Sequence, residues 1–281
     1  VTEFGFKTSP QYTTWEAMLD VWREGDQIDV FDSAWNFDHF YPINVPDTTG
    51  PCMESWVTLT ALAQATSRLR VGTMVNGMVY RHPAVLANMA ATLDIVSAGR
   101  FDLGLGAGWN EEECGAYGIE LGTLTERFDR FDEGCEVIVR LLTQETSDFD
   151  GRYFRLREAR SNPPPVQRPH PPICIGGRGP RRTLPAVARW AQHWNYPGAG
   201  RKDYLETKAQ LDESCAAIGR DPGEIKVSMQ IPYDPDAGPG AAAEAAAART
   251  ELGVDLIIFY LPTPHTPAVL EPLANALGDL R

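Results

Sequence analysis

Asp38 and His39 stand side by side in the stretch WNFDHFYP, where an apolar run gives way to aromatic residues. An imidazole in such a place can hold or deliver a proton near neutral pH, and an adjacent carboxylate can orient it. A lone histidine is more often structural, but a position at a strand end beside an acid favours chemistry. Two glycine-rich stretches, GLGAG over 104–108 and GGRG over 176–179, could turn backbone N–H groups toward a phosphate ahead of a helix. Arg178, Arg181 and Arg182 cluster at the second stretch, a local contrast in an acidic chain that suits an anionic ligand. GLGAGW lacks the spacing of the dinucleotide fingerprint, and no Gly-Lys-Ser/Thr follows it, so neither a Rossmann nor a Walker loop is read here.

These groups need a frame that gathers strand ends. Residues 69–75 are β-branched and apolar enough for a buried strand, and Pro83 sits where a first helical turn tolerates a missing N–H. Leu86, Ala90, Leu93 and Val96 then repeat at helical spacing until Gly99. In Phe101–Gly106 large apolar residues alternate with Asp102, Gly104 and Gly106, so one face is nearly bare. Something flat, or a phosphate, could lie against it, or the bareness serves tight packing at a barrel corner with no ligand. The clearest helix carries Leu124, Phe128, Phe131, Cys135, Ile138 and Leu142 at steps of four and three.

Further strands are read at 3–7, 30–34, 173–176, 193–196, 224–231 and 256–260, with helical patterns between them. Eight strands alternating with about eight helices predict a closed parallel (β/α)8 TIM barrel. A doubly wound open sheet is the alternative architecture. Residues 1–281 are read as one domain with an insertion at about 146–172, before the fifth barrel strand. There Asp150-Gly151 signals a turn and RYFRLR alternates like a hairpin arm, placed at the barrel mouth or in a subunit contact.

Sites in such barrels collect at the carboxyl ends of the strands. That places Asp38 and His39 beside Thr73, Met74, Val75 and Asn76, with the loops Gly106, Ala107, Gly108 and Gly176, Gly177, Arg178, Gly179 alongside. His82 is read as shaping a helix entrance, Glu111–Glu113 as a solvated run at a helix start, and the cysteines as core fillers.

A formal net charge of −13 argues against nucleic acid as a partner. No apolar run reaches membrane-spanning length, and Val1–Pro10 has no signal-peptide pattern. The five cysteines form no C-x-x-C and have no histidine at metal-ligand spacing, so a reducing cytoplasmic location without metal is expected. The expected partners are a small-molecule substrate and, in a homodimer, a second copy of the chain.

The sequence resembles the luciferase-like monooxygenase superfamily, in particular its branch using the deazaflavin coenzyme F420. The resemblance is carried in order by DHFYP (38–42), YRHPA (80–84), TLDIVSAGR (92–100), FDLGLGAGWNEEE (101–113), RFDRFDE (127–133) and PHPPICIGGRGPR (169–181). It implies a barrel with a long insertion and a flat tricyclic cofactor at its carboxyl mouth. Asp38 and His39 would face the reactive ring, and a bulge at Met74–Val75, often a cis peptide in the family, would support its back. The phosphate would rest on Gly106–Gly108 and Gly176–Gly177, and the carboxylate-rich tail near Arg178, Arg181 and Arg182. One sugar-phosphate dehydrogenase of this branch carries an acid just after its first glycine loop and a tryptophan after its DHF motif. Trp109 and Ile43 stand at those places here, which speaks against a sugar phosphate.

The expected function is hydride transfer between F420 and an unidentified organic substrate, with His39 handling the proton and Asp38 orienting it. An FMN-dependent monooxygenase is the alternative within enzymes, and a non-catalytic cofactor-binding barrel the alternative outside them.

Overall fold

Short runs rich in β-branched and aromatic residues, each closed by glycine, proline or a polar turn, form the strands of this protein. The computed structural model describes residues 2–198 and 200–280. Its strands are β1 (Glu3–Lys7), β2 (Phe31–Asn36), β3 (Arg70–Thr73), β4 (Asn76–Gly77), β5 (Phe101–Gly106), β6 (Ser147–Asp150), β7 (Arg155–Ala159), β8 (Ile173–Gly176), β9 (His193–Tyr196), β10 (Lys226–Pro232) and β11 (Leu256–Tyr260). Its helices are α1 (Trp15–Gln27), α2 (Ser55–Ala65), α3 (Pro83–Val96), α4 (Glu111–Ala116), α5 (Leu124–Thr143), α6 (Thr183–Trp190), α7 (Arg201–Ala216), α8 (Gly238–Thr250) and α9 (Leu270–Leu277).

Parallel pairing runs β3-β2-β1-β11-β10-β9-β8-β5, and β3 pairs with β5 to close the ring. This is the (β/α)8 barrel expected from the alternation, not an open sheet. β4 continues β3 after a break, pairing Asn76 with Leu105 and Gly77 with Gly106. The Met74–Val75 peptide in that break is cis.

Two cores follow from the period-two alternation of the strands. Phe4 and Phe6 of β1 face outward and pack with Met18 and Trp22 of α1. Inside the barrel lie Trp35, Met74, Cys174, Leu256 and Ile258. The starts of α1, α2, α3, α4 and α5 are pinned by side-chain caps. His82 Nδ1 accepts the Ala84 N–H ahead of Pro83, and Thr123 and Glu126 make a reciprocal capping box for α5.

The bare face of β5 is packed closely by the protein itself at Gly104, as the tight-packing alternative expects, while Gly106 also borders the mouth. A Cβ on Gly104 would collide with the carbonyl oxygen of Thr73, and one on Gly106 would meet Val75 Cγ2 at 2.8 Å. The glycines let the broken third strand press inward. Within the insertion β6 and β7 form the antiparallel hairpin that its alternation predicts, packed on α5 and on the start of α3. Glu133 of α5 accepts the N–H groups of Arg152 and Tyr153 at 2.8 and 2.9 Å, and Phe154 meets the His82 ring edge-on. Along α5, Phe131, Cys135, Ile138 and Leu142 are buried as their spacing predicts, whereas Phe128 is only partly buried against the core and Leu124 is exposed, both bordering the mouth.

Candidate active site

Phe37, Asp38 and His39 follow directly on β2 and are all buried at the mouth of the barrel. His39 Nδ1 lies 2.6 Å from Glu113 Oε1. The same carboxylate accepts the Phe40 N–H at 2.9 Å and the Tyr80 hydroxyl. A carboxylate that collects donors leaves Nδ1 as the protonated nitrogen of His39 and frees Nε2. Burial alone would push the Glu113 carboxyl up, but the hydrogen bonds from His39, Tyr80 and Phe40 outweigh it and hold it below its ordinary value. Burial, reinforced by Glu113, pushes the Tyr80 hydroxyl up.

Two expectations are corrected at this point. Asp38 does not orient His39, because both its oxygens are taken by Arg81, at 2.5 and 3.0 Å. Arg81 in turn reaches Glu54 at 2.6 Å. Glu113 is not part of a solvated run. The Asn110 side chain accepts the N–H groups of Glu112 and Glu113, and this short turn aims Glu113 inward while Glu111 and Glu112 stay exposed. A run of three acids offers no periodicity by which sequence could single out its last member.

Phe37, Asp38, His39 and Tyr80 border a cavity of about 540 Å³, with Glu113 and Arg81 behind them, within the range of small-molecule sites. Met74 and Val75 form one wall, with Asn76 beside them. Asn76 pins that wall, donating to Gly104 O at 2.6 Å while its Oδ1 accepts from Trp56 Nε1 at 2.6 Å. Gly106, Ala107, Gly108 and Gly176 line another side. Trp109 stands over His39 with ring centroids 5.3 Å apart, and Ile43 also borders the space.

Thr73, Gly177, Arg178 and Gly179 do not line the cavity. Thr73 is buried behind the wall, where its hydroxyl accepts from Asn76 Nδ2 at 2.5 Å. Arg178 is exposed and paired with Asp203, and Arg182 with Asp129. Of the arginine cluster, Arg181 alone has no carboxylate partner among the described residues.

Two cavity cations were not singled out by the sequence reading. Arg127, within RFDRFDE, donates from Nη1 to Gly108 O at 3.1 Å, and its buried Nε has no partner. Lys7 closes β1 and turns into the barrel. The available signal was a lysine directly after the apolar run Phe4-Gly5-Phe6.

Cys52 donates to the His39 carbonyl at 3.3 Å, and burial pushes its thiol up to about 12, so it is no nucleophile. All five cysteines are free, four of them buried. Among the described residues no group of acids, cysteines or histidines is placed to hold a metal, and no helix is long and apolar enough to cross a membrane.

Residues 4–280 match the model of the luciferase-like monooxygenase family. The chain belongs to that family. An F420-dependent glucose-6-phosphate dehydrogenase of Kineococcus radiotolerans is 32% identical over 98% of this chain and 80% of its own length. An F420-dependent hydroxymycolic acid dehydrogenase of Mycobacterium tuberculosis is 34% identical over 68% of this chain and 52% of its own. The solved structure of an F420-dependent secondary alcohol dehydrogenase with an F420-acetone adduct superposes with a TM-score of 0.88, at 19% identity, covering 100% of this chain and 99% of that one.

Proposed function

We propose that this protein is an F420-dependent oxidoreductase that moves a hydride between the deazaflavin and a small organic substrate. The observation that carries the reading is the His39–Glu113 pair, with Nε2 of His39 left without a partner among the described residues at a cavity backed by Met74 and Val75. The relatives named for F420-dependent dehydrogenation support it.

The residues present fit such a group. The Met74–Val75 wall offers an apolar back to a flat ring, and the cavity is large enough for one. Arg127 beside Gly108 gives a cation and an unused buried donor where a phosphate would rest on the glycine loop. Lys7 and Arg127 line the cavity without a carboxylate partner among the described residues. A ligand carrying negative charge therefore suits the space.

When bound, the deazaflavin would supply the carbon that accepts or gives the hydride. His39 Nε2 would take the proton of a substrate hydroxyl, or return one to a carbonyl oxygen. Glu113 would hold the imidazole in the right tautomer and steady its charged form. Asp38, tied to Arg81, would help keep the β2 end rigid rather than share the proton. Trp109 and Leu124, both exposed at the rim, would close over the ligand and exclude water. Trp109 and Ile43 at the two positions noted above support a substrate other than a sugar phosphate.

The test is titration of the purified protein with F420 and with FMN, followed by anaerobic turnover against a panel of alcohols. Tighter F420 binding and turnover without oxygen are expected. Preferential FMN binding with strictly oxygen-dependent turnover would favour the monooxygenase reading and sink this one. The expected homodimer is supported by the outer faces of α2 and α3. α2 carries no charged residue, and Val57 and Val85 are 73% and 55% exposed beside an apolar groove. Sedimentation should show a dimer that Val57→Glu dissociates; a monomeric wild type would end that part of the proposal.

A further inference from the structure

Lys7 is a buried cation that the site as described so far leaves unexplained. Its side chain is only 6% exposed and lies on the inner face of β1, opposite to Phe4 and Phe6. Nζ donates to Gln230 Oε1 at 3.0 Å and, more weakly, to Met74 O at 3.4 Å. It also lies 4.8 Å above the centre of the Tyr260 ring and 5.6 Å from that of Phe37. No carboxylate pairs with it among the described residues. A buried ammonium without a counter-ion is costly, and aromatic faces with amide oxygens offset only part of that cost. Burial lowers its pKa to about 8.

What stands behind Lys7 orients it without neutralising it. Gln230 Nε2 donates to Asn195 Oδ1 at 3.0 Å, Asn195 Nδ2 donates to Ser228 Oγ at 2.9 Å, and Ser228 Oγ lies 2.6 Å from His193 Nε2. The row contains no acid, and burial keeps His193 neutral. An amide at residue 230 fixes the direction of the bonds, where a carboxylate would have cancelled the charge. An ammonium has three N–H donors, and two are directed at Gln230 and Met74, so one is left on the side of the cavity.

Resting on the F420 reading above, we propose that Lys7 is a cofactor-binding residue whose ammonium is the counter-ion of the bound deazaflavin ring. The chemistry of that ring calls for one. Its aromatic hydroxyl ionises to an anion whose charge is shared with the carbonyl edge of the pyrimidine, so a fixed cation beside the ring favours the ionised form. The Met74 carbonyl that Lys7 touches belongs to the apolar wall assigned to the back of the ring. The other charged and titratable groups around this space are committed elsewhere. Asp38 is tied to Arg81 and His39 to Glu113, while burial raises both Tyr80 and Tyr260 and keeps them neutral. Arg127 lies at the glycine loop.

The experiment titrates oxidised F420 into the full chain as wild type, Lys7→Met, Lys7→Gln and Lys7→Arg, following quenching of ring fluorescence. The absorbance of the bound ring is then followed across pH to locate the ionisation of its hydroxyl. Folding of each variant is checked by thermal melting, and the two neutral replacements guard against one of them failing to fold. Lys7→Met and Lys7→Gln are expected to bind F420 about tenfold more weakly and to raise the ionisation of the bound ring by about one pH unit. Lys7→Arg should restore both. A neutral variant that folds and leaves the bound ring's ionisation unchanged overturns the proposal, even where affinity falls. Wild type that fails to bind F420 at all overturns the proposal together with the reading beneath it.

Discussion

At the scale of single residues, the site is built from pairs in which one member fixes the other. His39 is held by Glu113, and Asp38 by Arg81. The two pairs predict different losses. His39→Ala should lower turnover about a hundredfold or more, the usual size of a missing acid–base group, while F420 affinity changes much less. Wild-type turnover in that variant would reduce His39 to a structural residue. Glu113→Gln keeps the shape but turns an amide N–H₂ toward some of the donors of His39, Tyr80 and Phe40, so a buried clash of donors results. It should cost about 1–3 kcal/mol of stability and lower kcat with little change in KM. The check is denaturant unfolding run beside steady-state kinetics; unchanged stability would show that Glu113 is not satisfied as drawn. The sequence made the Asp38–His39 pairing visible as adjacency, but adjacency along a strand end is not contact. Successive side chains there point apart, and each found a partner far along the chain.

At the scale of elements, the third barrel strand decides the shape of the site. Gly104 and Gly176 look alike in sequence, as small residues in glycine-rich strands, yet the structure separates them. An added methyl at Gly104 strikes the Thr73 backbone, which cannot swing aside, whereas at Gly176 the nearest atom is Val75 Cγ1 at 3.5 Å. Gly104→Ala is therefore expected to destabilise by about 3 kcal/mol, near the upper end for overpacking. Gly176→Ala should stay within about 0.5 kcal/mol of wild type. Equal effects in urea unfolding would mean that β5 does not carry the inward strand. The eight strands and most helices were legible because each has its own period and its own punctuation, such as Pro83 and Gly99 around α3. The break between β3 and β4 was not legible from pattern, since GTMVNG reads as one uninterrupted run. Only the family resemblance pointed at Met74–Val75. A helix start at Glu111–Glu113 was legible, but the six residues of α4 are too few to show a stripe, so the inward turn of Glu113 was not.

At the scale of the whole molecule, the barrel interior makes stability depend on pH from both directions. His193 and His265 are buried, and burial lowers the pKa of both, that of His193 to about 3. In the unfolded chain a histidine titrates near 6.5, so below that pH the unfolded state binds a proton that the folded state refuses. Stability must therefore fall as pH drops from about 6.5 toward 3, by about 1.4 kcal/mol per pH unit for His193 alone. Carboxylates held low in the fold, such as Asp26 and Glu113, add their own loss only as pH approaches their ordinary range near 4. Lys7 works at the other end. Its folded pKa of about 8 lies below its unfolded value, so the unfolded chain holds the extra proton between about 8 and 10.4, and stability contributed by this site rises with pH across that window. Urea unfolding of the protein without cofactor, run at pH 7 and pH 5, should show a loss of about 2 kcal/mol from His193. His193→Gln keeps a hydrogen-bonding group beside Ser228 and removes the titration, so it should flatten most of that loss and leave the share of His265. Lys7→Met should leave the acid side untouched while removing the alkaline rise. An acid loss that survives in full in His193→Gln would mean that the polar row behind Lys7 does not end on a neutral imidazole, and that the charge of the barrel floor is arranged otherwise.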